Sequence, residues 1–574
     1  MKFMKIGTRP DAFYTEDGTR TVISDVPGDL TITINSITYL IHKFPLLPKC
    51  GLLQRLCSSA EDSGNIALEL HDIPGGEEAF ELCAKFCYGI TINVSAHNFV
   101  PAFCAAKFLR MTEAFERGNL VVKLEAFFAS CILEGWKDSI LVLQTTQKLA
   151  EWAENVGIIR RCIDSIVEKI LTPPLKVKWS YTCSRPGYEK SVPKDWWTED
   201  LSVLEIELFR CIITAVRSTN VLPPQLIGEA LHVYATRWLP DVTKRLPLVA
   251  PGAGQFSLDR KRSILETIVS MIPSDGGSVL VGFLLRLISA ANYLGASMVT
   301  KAQLIRRSGT QLPEARLNDL LLPSQGGSTC DESCCAFDVE LIGIVLESFL
   351  RQWRRQAPGE GESHSLRSIR KVGKLIDTYL QVVARDPKMP VEEMVSLASA
   401  VPDIARPVHD ELYQAINTYL KIHHDLSKSG KKQLCRILDC QKLSPQVCMH
   451  AVKNERLPLR TVVQLLYFEQ ERGTTSTAAS QLASPTIQRT PTLKDYGLIR
   501  RLNLQDSDNE HPHKADNNRR RRGPVGEEES NSSRSRGVSR IIMESSRKKG
   551  REIVEEGTKL HNPPTQRTVV HKHI

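Results

Sequence analysis

Short strand patterns and helical patterns alternate in the first part of the chain. Residues 30–34 carry leucine or isoleucine at every second position, which is the period of a strand with one buried face. Two further strands are predicted over 37–42 and 66–70. Helices are predicted over 44–57 and after Gly76, Ser95 and Arg117. This mixture predicts an α+β unit that ends near Thr172.

Beyond residue 195 the apolar positions recur at helical spacing. The predicted helical segments are 201–215, 226–238, 263–272, 279–294, 337–354, 368–384 and 391–400. No strand pattern of comparable clarity appears, so the sequence predicts a large all-α domain. A solenoid arrangement is left open, because no sequence period demonstrates repeats.

The stretch 412–470 predicts four short helices with polar breaks between them. Ser444 followed by Pro445 is a helix start, since the serine oxygen accepts from free backbone N–H groups and proline is tolerated in the first turn. Helices this short bury too little surface to be stable alone. We therefore expect them to pack on each other and on the helices before them.

This stretch carries a specific sequence signature. Its elements are the run from Tyr413 to Leu420, Leu434-Cys435, Asp439-Cys440, Lys442-Leu443-Ser444, Cys448, His450, the run from Asn454 to Gln464 and Phe468-Glu469-Gln470. The block resembles the plant phototropic-response family, also called nonphototropic hypocotyl/root phototropism-like. The resemblance implies a BTB domain joined to a long helical domain. Two departures, His424 in place of a proline and a basic segment 429–432 in place of an acidic helix start, shift at most a helix boundary.

The N-terminal unit carries its own motifs. Asp29 opens a strand, His42-Lys43-Phe44-Pro45-Leu46-Leu47 enters the first helix, and Tyr88-Gly89 closes the third. In this order the motifs resemble a BTB/POZ domain, and the opening MKFMKIGTRPDAFYTEDG is similar to naked-pins-like members of the family. The resemblance implies homo- or heterodimers and docking on cullin-three ubiquitin ligases.

The patterns and the resemblance together predict six segments. They are an N-terminal arm (1–27), the BTB/POZ domain (28–116), its helical extension (117–172), a proline-containing linker (173–194), the family's helical domain (195–472) and a disordered basic tail (473–574).

A cullin-contact region is implied just beyond the second BTB helix, where strong cullin binders carry a hydrophobic-x-acidic triplet. The corresponding residues are Leu56, Ala60 and Glu61. Alanine is a poor hydrophobic anchor, so the resemblance implies weaker cullin binding here than in the best binders.

Charge is concentrated in the tail. The 574-residue chain has a net charge of +9, and residues 473–574 contribute +7 through 19 Lys/Arg and 12 Asp/Glu. The remainder is close to neutral, which gives no indication of nucleic-acid binding. No secretory signal or membrane-spanning stretch is recognised. We expect an intracellular protein, cytoplasmic or peripheral at the plasma membrane.

The candidate chemistry is sparse. Cys435, Cys440, Cys448 and His450 suggest zinc ligands, but their spacing is not that of paired C-x-x-C knuckles and packed core thiols are the alternative. No phosphate-binding loop, metalloprotease, hydrolase or kinase motif occurs. The sequence therefore predicts a protein that is not an enzyme and that uses no cofactor.

Two positions are candidate phosphorylation sites. The family resemblance makes Tyr413 one of them. Ser539 is the other, because Arg534-x-Arg536-x-x-Ser539 has the form that basophilic kinases recognise. A basic run, Arg519, Arg520, Arg521 and Arg522, precedes it and suits an anionic membrane surface or a nuclear-targeting signal. Phosphate on Ser539 adds negative charge among these arginines and weakens membrane attraction.

These features lead to two hypotheses. In the first, the chain recruits client proteins to a cullin-three RING ubiquitin ligase in plant signalling of the phototropism or auxin type. In the second, it is a membrane-peripheral scaffold that assembles through its BTB domain and has no ligase role.

Overall fold

A computed structural model of the chain describes residues 2–58, 66–184, 192–246, 255–325, 336–355 and 362–480. The expected architecture is confirmed: strands mixed with helices come first, and helices follow. Within these ranges no helix combines the length and apolar character that crossing a membrane requires.

Seven strands are described, all before residue 96. They are β1 Phe3–Ile6, β2 Phe13–Glu16, β3 Thr19–Val22, β4 Leu30–Ile34, β5 Ile37–Ile41, β6 Ile66–Glu69 and β7 Ile92–Ser95. Five form a sheet in the order β2-β3-β5-β4-β6, and β1 pairs with β7. The predicted hairpin β4–β5 is antiparallel with Leu30 opposite Ile41, while β6 joins β4 in parallel.

The N-terminal arm is more structured than the sequence analysis expected, because it contains β1, β2 and β3. The turn between β2 and β3 is Asp17-Gly18, and both residues have a positive φ (45° and 78°). This is the backbone of a two-residue hairpin turn, for which Asp-Gly is a strong sequence signal. Each of the three strands has only four residues, too few for a clear alternation of apolar and polar positions.

Eight helices belong to the first unit and its extension. They are α1 Lys43–Leu46, α2 Gly51–Ser58, α3 Gly76–Cys87, α4 Phe99–Phe108, α5 Leu120–Phe127, α6 Trp136–Thr145, α7 Ala150–Asn155 and α8 Ile158–Leu171. The single helix predicted over 44–57 is two helices, α1 and α2, because the chain breaks around Pro48. Phe80, Phe99 and Phe128 are completely buried. Phe80 packs against Tyr39 of β5, and Phe99 stacks on Phe128.

Fourteen further helices follow in the described part of the chain. They are α9 Thr198–Leu201, α10 Ile206–Ser218, α11 Pro224–Trp238, α12 Gln255–Met271, α13 Val281–Tyr293, α14 Met298–Gln311, α15 Leu317–Leu320, α16 Val339–Arg355, α17 Glu362–Val383, α18 Val391–Ala400, α19 Asp410–Ile422, α20 Lys428–Arg436, α21 Pro445–Val452 and α22 Leu459–Ser480. The sequence analysis missed α14 and the short α15. In α14 the usual pattern is reversed, because Met298 and Val299 are exposed whereas Thr300 and Ser308 are buried. It also ended the domain at 472, whereas α22 continues to Ser480.

The helices stack in two rows, which is the packing of a solenoid. In one row α8, α10, α12, α14, α16, α18 and α20 each contact the next; in the other α13, α15, α17 and α19 do so. The first row begins with α8, a helix of the BTB extension. The extension and the helical domain therefore share one continuous stack.

Residues 179 and 181 of the predicted linker pack on the start of the helical domain. Trp179 and Tyr181 each pack against Trp196, with ring centroids 5.6 Å apart in both pairs. Trp136 of the extension contacts Trp196 on the other side and donates its indole N–H to Asp200 at 2.7 Å. Aromatic packing and a buried hydrogen bond thus hold the extension against the start of the helical domain.

Candidate protein-interaction sites

The start of α1 is held by a hydrogen-bond network around His42. Its Nδ1 lies 2.9 Å from the hydroxyl of Tyr88, and its Nε2 lies 2.9 Å from the carbonyl oxygen of Val26. The backbone N–H of Lys43 donates to Asp29 at 2.7 Å. His42 and Asp29, which the resemblance singled out, therefore position the first turn of α1. His42 is half-buried and hydrogen-bonded.

This network presents apolar side chains to solvent. Phe44, on α1, is 88% exposed, and Val26, whose carbonyl contacts His42, is 63% exposed. Large exposed apolar side chains are typical of protein-interaction surfaces. The sequence analysis placed Phe44 in a helix but did not foresee its exposure. Its neighbours in sequence give no signal of it, because Leu46 of the same helix is completely buried.

The candidate cullin-contact region is only partly described. Leu56 lies in α2 and is half-buried, and it packs against the core. Arg55 and Ser58 of the same helix are exposed. Ala60 and Glu61 lie outside the described residues. The face that α2 offers to a partner therefore includes Arg55 and Ser58, while Leu56 contributes mainly to packing.

Tyr413 lies in α19, at the start of the signature block. It is completely buried, and its hydroxyl is 2.8 Å from Nδ1 of His450 on α21. Asn454 donates to the same hydroxyl at 3.1 Å and to the side chain of Asn417 at 2.9 Å. Burial raises the pKa of Tyr413. Phosphorylation of Tyr413 stays a prediction, and it requires α19 and α21 to separate first.

A second polar group joins the block to the helices before it. Arg406 is buried and donates to Asp377 through Nε at 2.9 Å and through Nη2 at 2.6 Å. The backbone N–H of Asp439 donates to Nδ1 of His409 at 3.1 Å, and the N–H of His409 donates to the carbonyl of Lys442 at 2.9 Å. Burial lowers the pKa of His409 to about 4, and Lys442 and Arg406 act in the same direction.

The cysteines of the block are core thiols. Burial raises the pKa of Cys435 to about 12 and of Cys440 to about 11. Cys448 is completely buried, and its Sγ lies 3.8 Å from the carbonyl oxygen of Leu465. The imidazole of His450 is hydrogen-bonded to Tyr413 and does not form a cluster with these thiols. Over the described ranges no group of three or more His, Cys, Asp or Glu side chains has an arrangement that would hold a metal ion.

The helix starts in the block agree with its sequence. Ser444 caps α21, with its hydroxyl accepting from the N–H of Val447 at 3.4 Å, and Pro445 occupies the first turn as predicted. Next to the basic segment 429–432, Ser427 caps α20, with its hydroxyl accepting from the N–H of Gly430 at 3.0 Å. The tail candidates, Ser539 and the run Arg519, Arg520, Arg521 and Arg522, lie outside the described residues.

Comparison with known proteins places these sites in a family. The model of the NPH3 family matches residues 195–448. A BTB/POZ domain-containing protein of Arabidopsis thaliana is 58% identical over 88% of this chain and 91% of its own length. The phototropic-responsive NPH3 family protein NPY2 of Arabidopsis thaliana is 38% identical over 84% of this chain and 78% of its own length.

A third relative carries phototropism in its name. Root phototropism protein 3 of Arabidopsis thaliana is 34% identical over 84% of this chain and 79% of its own length. No solved structure gave a significant match. At 84–88% of this chain, the matches cover both the strand-rich unit and the helical stack. The chain therefore belongs to the NPH3 family of plant BTB/POZ domain-containing proteins.

Proposed function

We propose that this protein is a non-enzymatic adaptor that recruits client proteins to a cullin-three RING ubiquitin ligase. The observation that carries the proposal is that one continuous stack of helices runs from the extension of the BTB unit to the signature block. The BTB unit exposes Phe44 and Val26 beside α1, and the stack that starts at α8 extends to the signature block. An adaptor needs such a fixed connection, because ubiquitin transfer requires the client to be held near the ligase.

The thiols of the signature block support a scaffolding role over a catalytic one. A ligase that carries ubiquitin on cysteine needs an accessible thiolate. Burial instead raises the pKa of Cys435, Cys440 and Cys448. In this proposal the chain binds and positions its partners, and the associated ligase subunits perform the chemistry.

Assembly through the BTB unit is the second part of the proposal. Exposed Phe44 and Val26 suit a dimer contact with another BTB domain, because burying such side chains stabilises an interface. Phe44→Asp is expected to shift the full-length protein from dimer to monomer in sedimentation equilibrium. Phe256→Asp, which changes another highly exposed phenylalanine, is the matched control and leaves the dimer intact.

Cullin binding is tested by titrating the full-length protein with the purified N-terminal domain of cullin-three. We expect saturable binding that weakens about tenfold in Arg55→Glu and in Glu61→Lys. Lys432→Glu, an exposed charge reversal on α20, is the control and keeps wild-type affinity. The ligase-adaptor hypothesis is contradicted if a well-folded dimer does not bind cullin-three. It is also contradicted if all three variants weaken binding equally.

The charge of the tail favours one alternative, a membrane-peripheral scaffold without a ligase role. Residues 473–574 carry +7, and the run from Arg519 to Arg522 suits anionic lipid. Sedimentation of the full-length protein with phosphatidylserine vesicles tests it. The scaffold requires binding that Ser539→Glu reduces and that neutral phosphatidylcholine vesicles do not support. If vesicles bind and cullin-three does not, the alternative replaces the adaptor.

A further inference from the structure

An open cleft of about 470 Å³ lies in the helical domain, away from the signature block and the BTB unit. Its walls are the end of α10, the start of α11 and the loop that follows α12. Its polar lining consists of Thr214, Arg217, Ser218 and Asn220. Leu222, Pro224, Ile227 and Pro273 form an apolar wall. The volume is in the range of small-ligand sites, and mixed linings of this kind are typical of them.

The guanidinium of Arg217 lines this cleft, and the guanidinium of Arg307 lies near Arg217 but outside the lining. Arg217 donates to the carbonyl of Met271 at 3.1 Å, and Arg307 donates to the carbonyl of Pro273 at 2.8 Å. Among the described residues, no carboxylate forms a salt bridge with either arginine. Burial and the charge of Arg217 both lower the pKa of Arg307. The two cations therefore repel each other, and an anion beside them relieves that repulsion.

The side chains in the cleft wall provide the groups that would bind a negative ligand. Arg217 is exposed, so its remaining N–H groups are available to solvent. Arginine forms two parallel hydrogen bonds with phosphate oxygens, and the hydroxyl of Thr214 donates to a third. The hydroxyl of Ser218 donates to the carbonyl of Ala215 at 2.7 Å, and it turns to the phosphate when the ligand binds.

We propose that this cleft, called the Arg217 cleft below, binds a phosphate monoester. The phosphate lies against Arg217, Thr214 and Ser218, and the organic part of the ester packs on the apolar wall. A lone inorganic phosphate would leave most of the cleft unfilled. The proposal is independent of cullin binding, since the cleft shares no residue with the BTB unit.

One residue opposes the proposal electrostatically, and it provides a test. Asp275 lines the same cleft and is exposed. Its carboxylate repels a phosphate, which carries a charge of about −1.5 to −2 at neutral pH. Asp275→Asn removes this repulsion with little change in shape. It is therefore expected to tighten binding about two- to fivefold.

The experiment is a titration of the full-length protein with three probes. Binding is measured by isothermal titration calorimetry and, for the phosphorylated probes, by the ³¹P NMR signal of the ligand. One probe is phenyl phosphate, a monoester with an apolar organic part. The second is a capped five-residue alanine peptide with phosphoserine at its centre, and the third is the same peptide with serine. Binding of the first probe alone identifies a soluble phosphate ester, and binding of the second but not the third identifies a phosphorylated protein segment.

The variants separate the cleft from general charge attraction. Arg217→Gln is expected to weaken binding of the bound probe at least about tenfold, the value of one charge-assisted hydrogen bond. Arg351→Gln changes an exposed arginine on α16 and is expected to have no effect. Since Arg217 also bonds Met271, Ser218→Ala is included as a milder change and is expected to weaken binding about threefold.

The proposal is overturned if neither phosphorylated probe binds. It is also overturned if Arg351→Gln weakens binding as much as Arg217→Gln, because the attraction is then non-specific. Loss of binding in Arg217→Gln with unchanged binding in both Ser218→Ala and Asp275→Asn contradicts the assignment to this cleft.

Discussion

Two tyrosine–histidine pairs with nearly equal distances stabilise the two halves of this protein. In the BTB unit, the Tyr88 hydroxyl lies 2.9 Å from Nδ1 of His42, and in the signature block the Tyr413 hydroxyl lies 2.8 Å from Nδ1 of His450. Tyr88 is half-buried, whereas Tyr413 is completely buried. The Tyr88–His42 pair therefore lies beside an exposed surface, whereas the Tyr413–His450 pair lies in the core.

Two arginine–carboxylate pairs show the same difference. Arg20 donates to Glu81 at 2.8 and 2.9 Å, and the two side chains are 24% and 19% exposed. Arg406 and Asp377 form a similar forked pair, but each is 4% exposed. Water replaces a lost partner at the first pair and cannot reach the second. We infer that the Arg20–Glu81 pair contributes little to the stability of the BTB unit. The buried Arg406–Asp377 pair, in contrast, determines how the signature block packs.

The largest effect is expected from breaking the buried charge pair. Asp377→Ala leaves the guanidinium of Arg406 buried without its carboxylate, and we expect the free energy of unfolding to fall by about 3–5 kcal/mol. Glu81→Ala removes the equivalent partner in the BTB unit and should cost about 1 kcal/mol. Urea unfolding of the full-length variants measures both. Equal losses would contradict the difference in burial on which the comparison depends.

The next effect concerns pH and His409. The pKa of His409 is about 4 in the folded chain, below the usual 6.5, so the unfolded chain binds the proton more readily. The folded state is therefore favoured above pH 6.5, and this advantage falls by about 3 kcal/mol as the pH drops from 6.5 to 4. Protonation of Nδ1 also displaces the bond from the N–H of Asp439.

Thermal unfolding between pH 4 and 7 tests this expectation. His409→Gln removes the titrating group and keeps an acceptor for Asp439, so its stability should change less across this interval than that of the wild type. His71→Gln, which changes an exposed histidine in the BTB unit, is the control and should leave the slope unchanged. An identical slope in wild type and His409→Gln would exclude His409 as the cause.

The tyrosine pairs are expected to differ by a smaller amount. Tyr413→Phe deprives Asn454 of an acceptor inside the core, and we expect a loss of about 1–3 kcal/mol. Tyr88→Phe leaves the backbone N–H of His42 able to bond water, and we expect about 1 kcal/mol or less. Chemical denaturation compares the two. A greater loss for Tyr88→Phe would reverse our assignment of the buried and accessible pair.

The smallest effects come from two glycines. Gly18 has a φ of +78°, and no atom lies within 4 Å of the point that a Cβ would occupy there, so Gly18→Ala adds backbone strain without a clash and should cost about 1 kcal/mol. Gly343 lies inside α16, also with open space around it. Gly343→Ala should therefore stabilise the protein by about 0.5–1 kcal/mol. Melting temperatures that shift in the same direction would contradict this prediction.

Much of the fold was predictable because its signals are local. The alternation over 30–34, the helical spacing in 412–470 and the cap at Ser444 depend on residues within one or two turns of each other. The motifs around His42 and Tyr413 indicated the family before any contact was known. The hairpin turn at Asp17-Gly18 was also present in the sequence, but its four-residue strands were too short to be recognised.

The sequence by itself determined the two classes of structure, the positions of most helices and the family. The tertiary structure decided which side chains are buried. Tyr413 meets His450 and Asn454, which are 37 and 41 residues away, and Trp136 meets Asp200 across the predicted linker. Phe44 and Leu46 share one short helix yet end at 88% and 0% exposure. Periodicity depends on near neighbours, whereas burial depends on whatever distant segment packs against a side chain, so only the assembled fold specifies it.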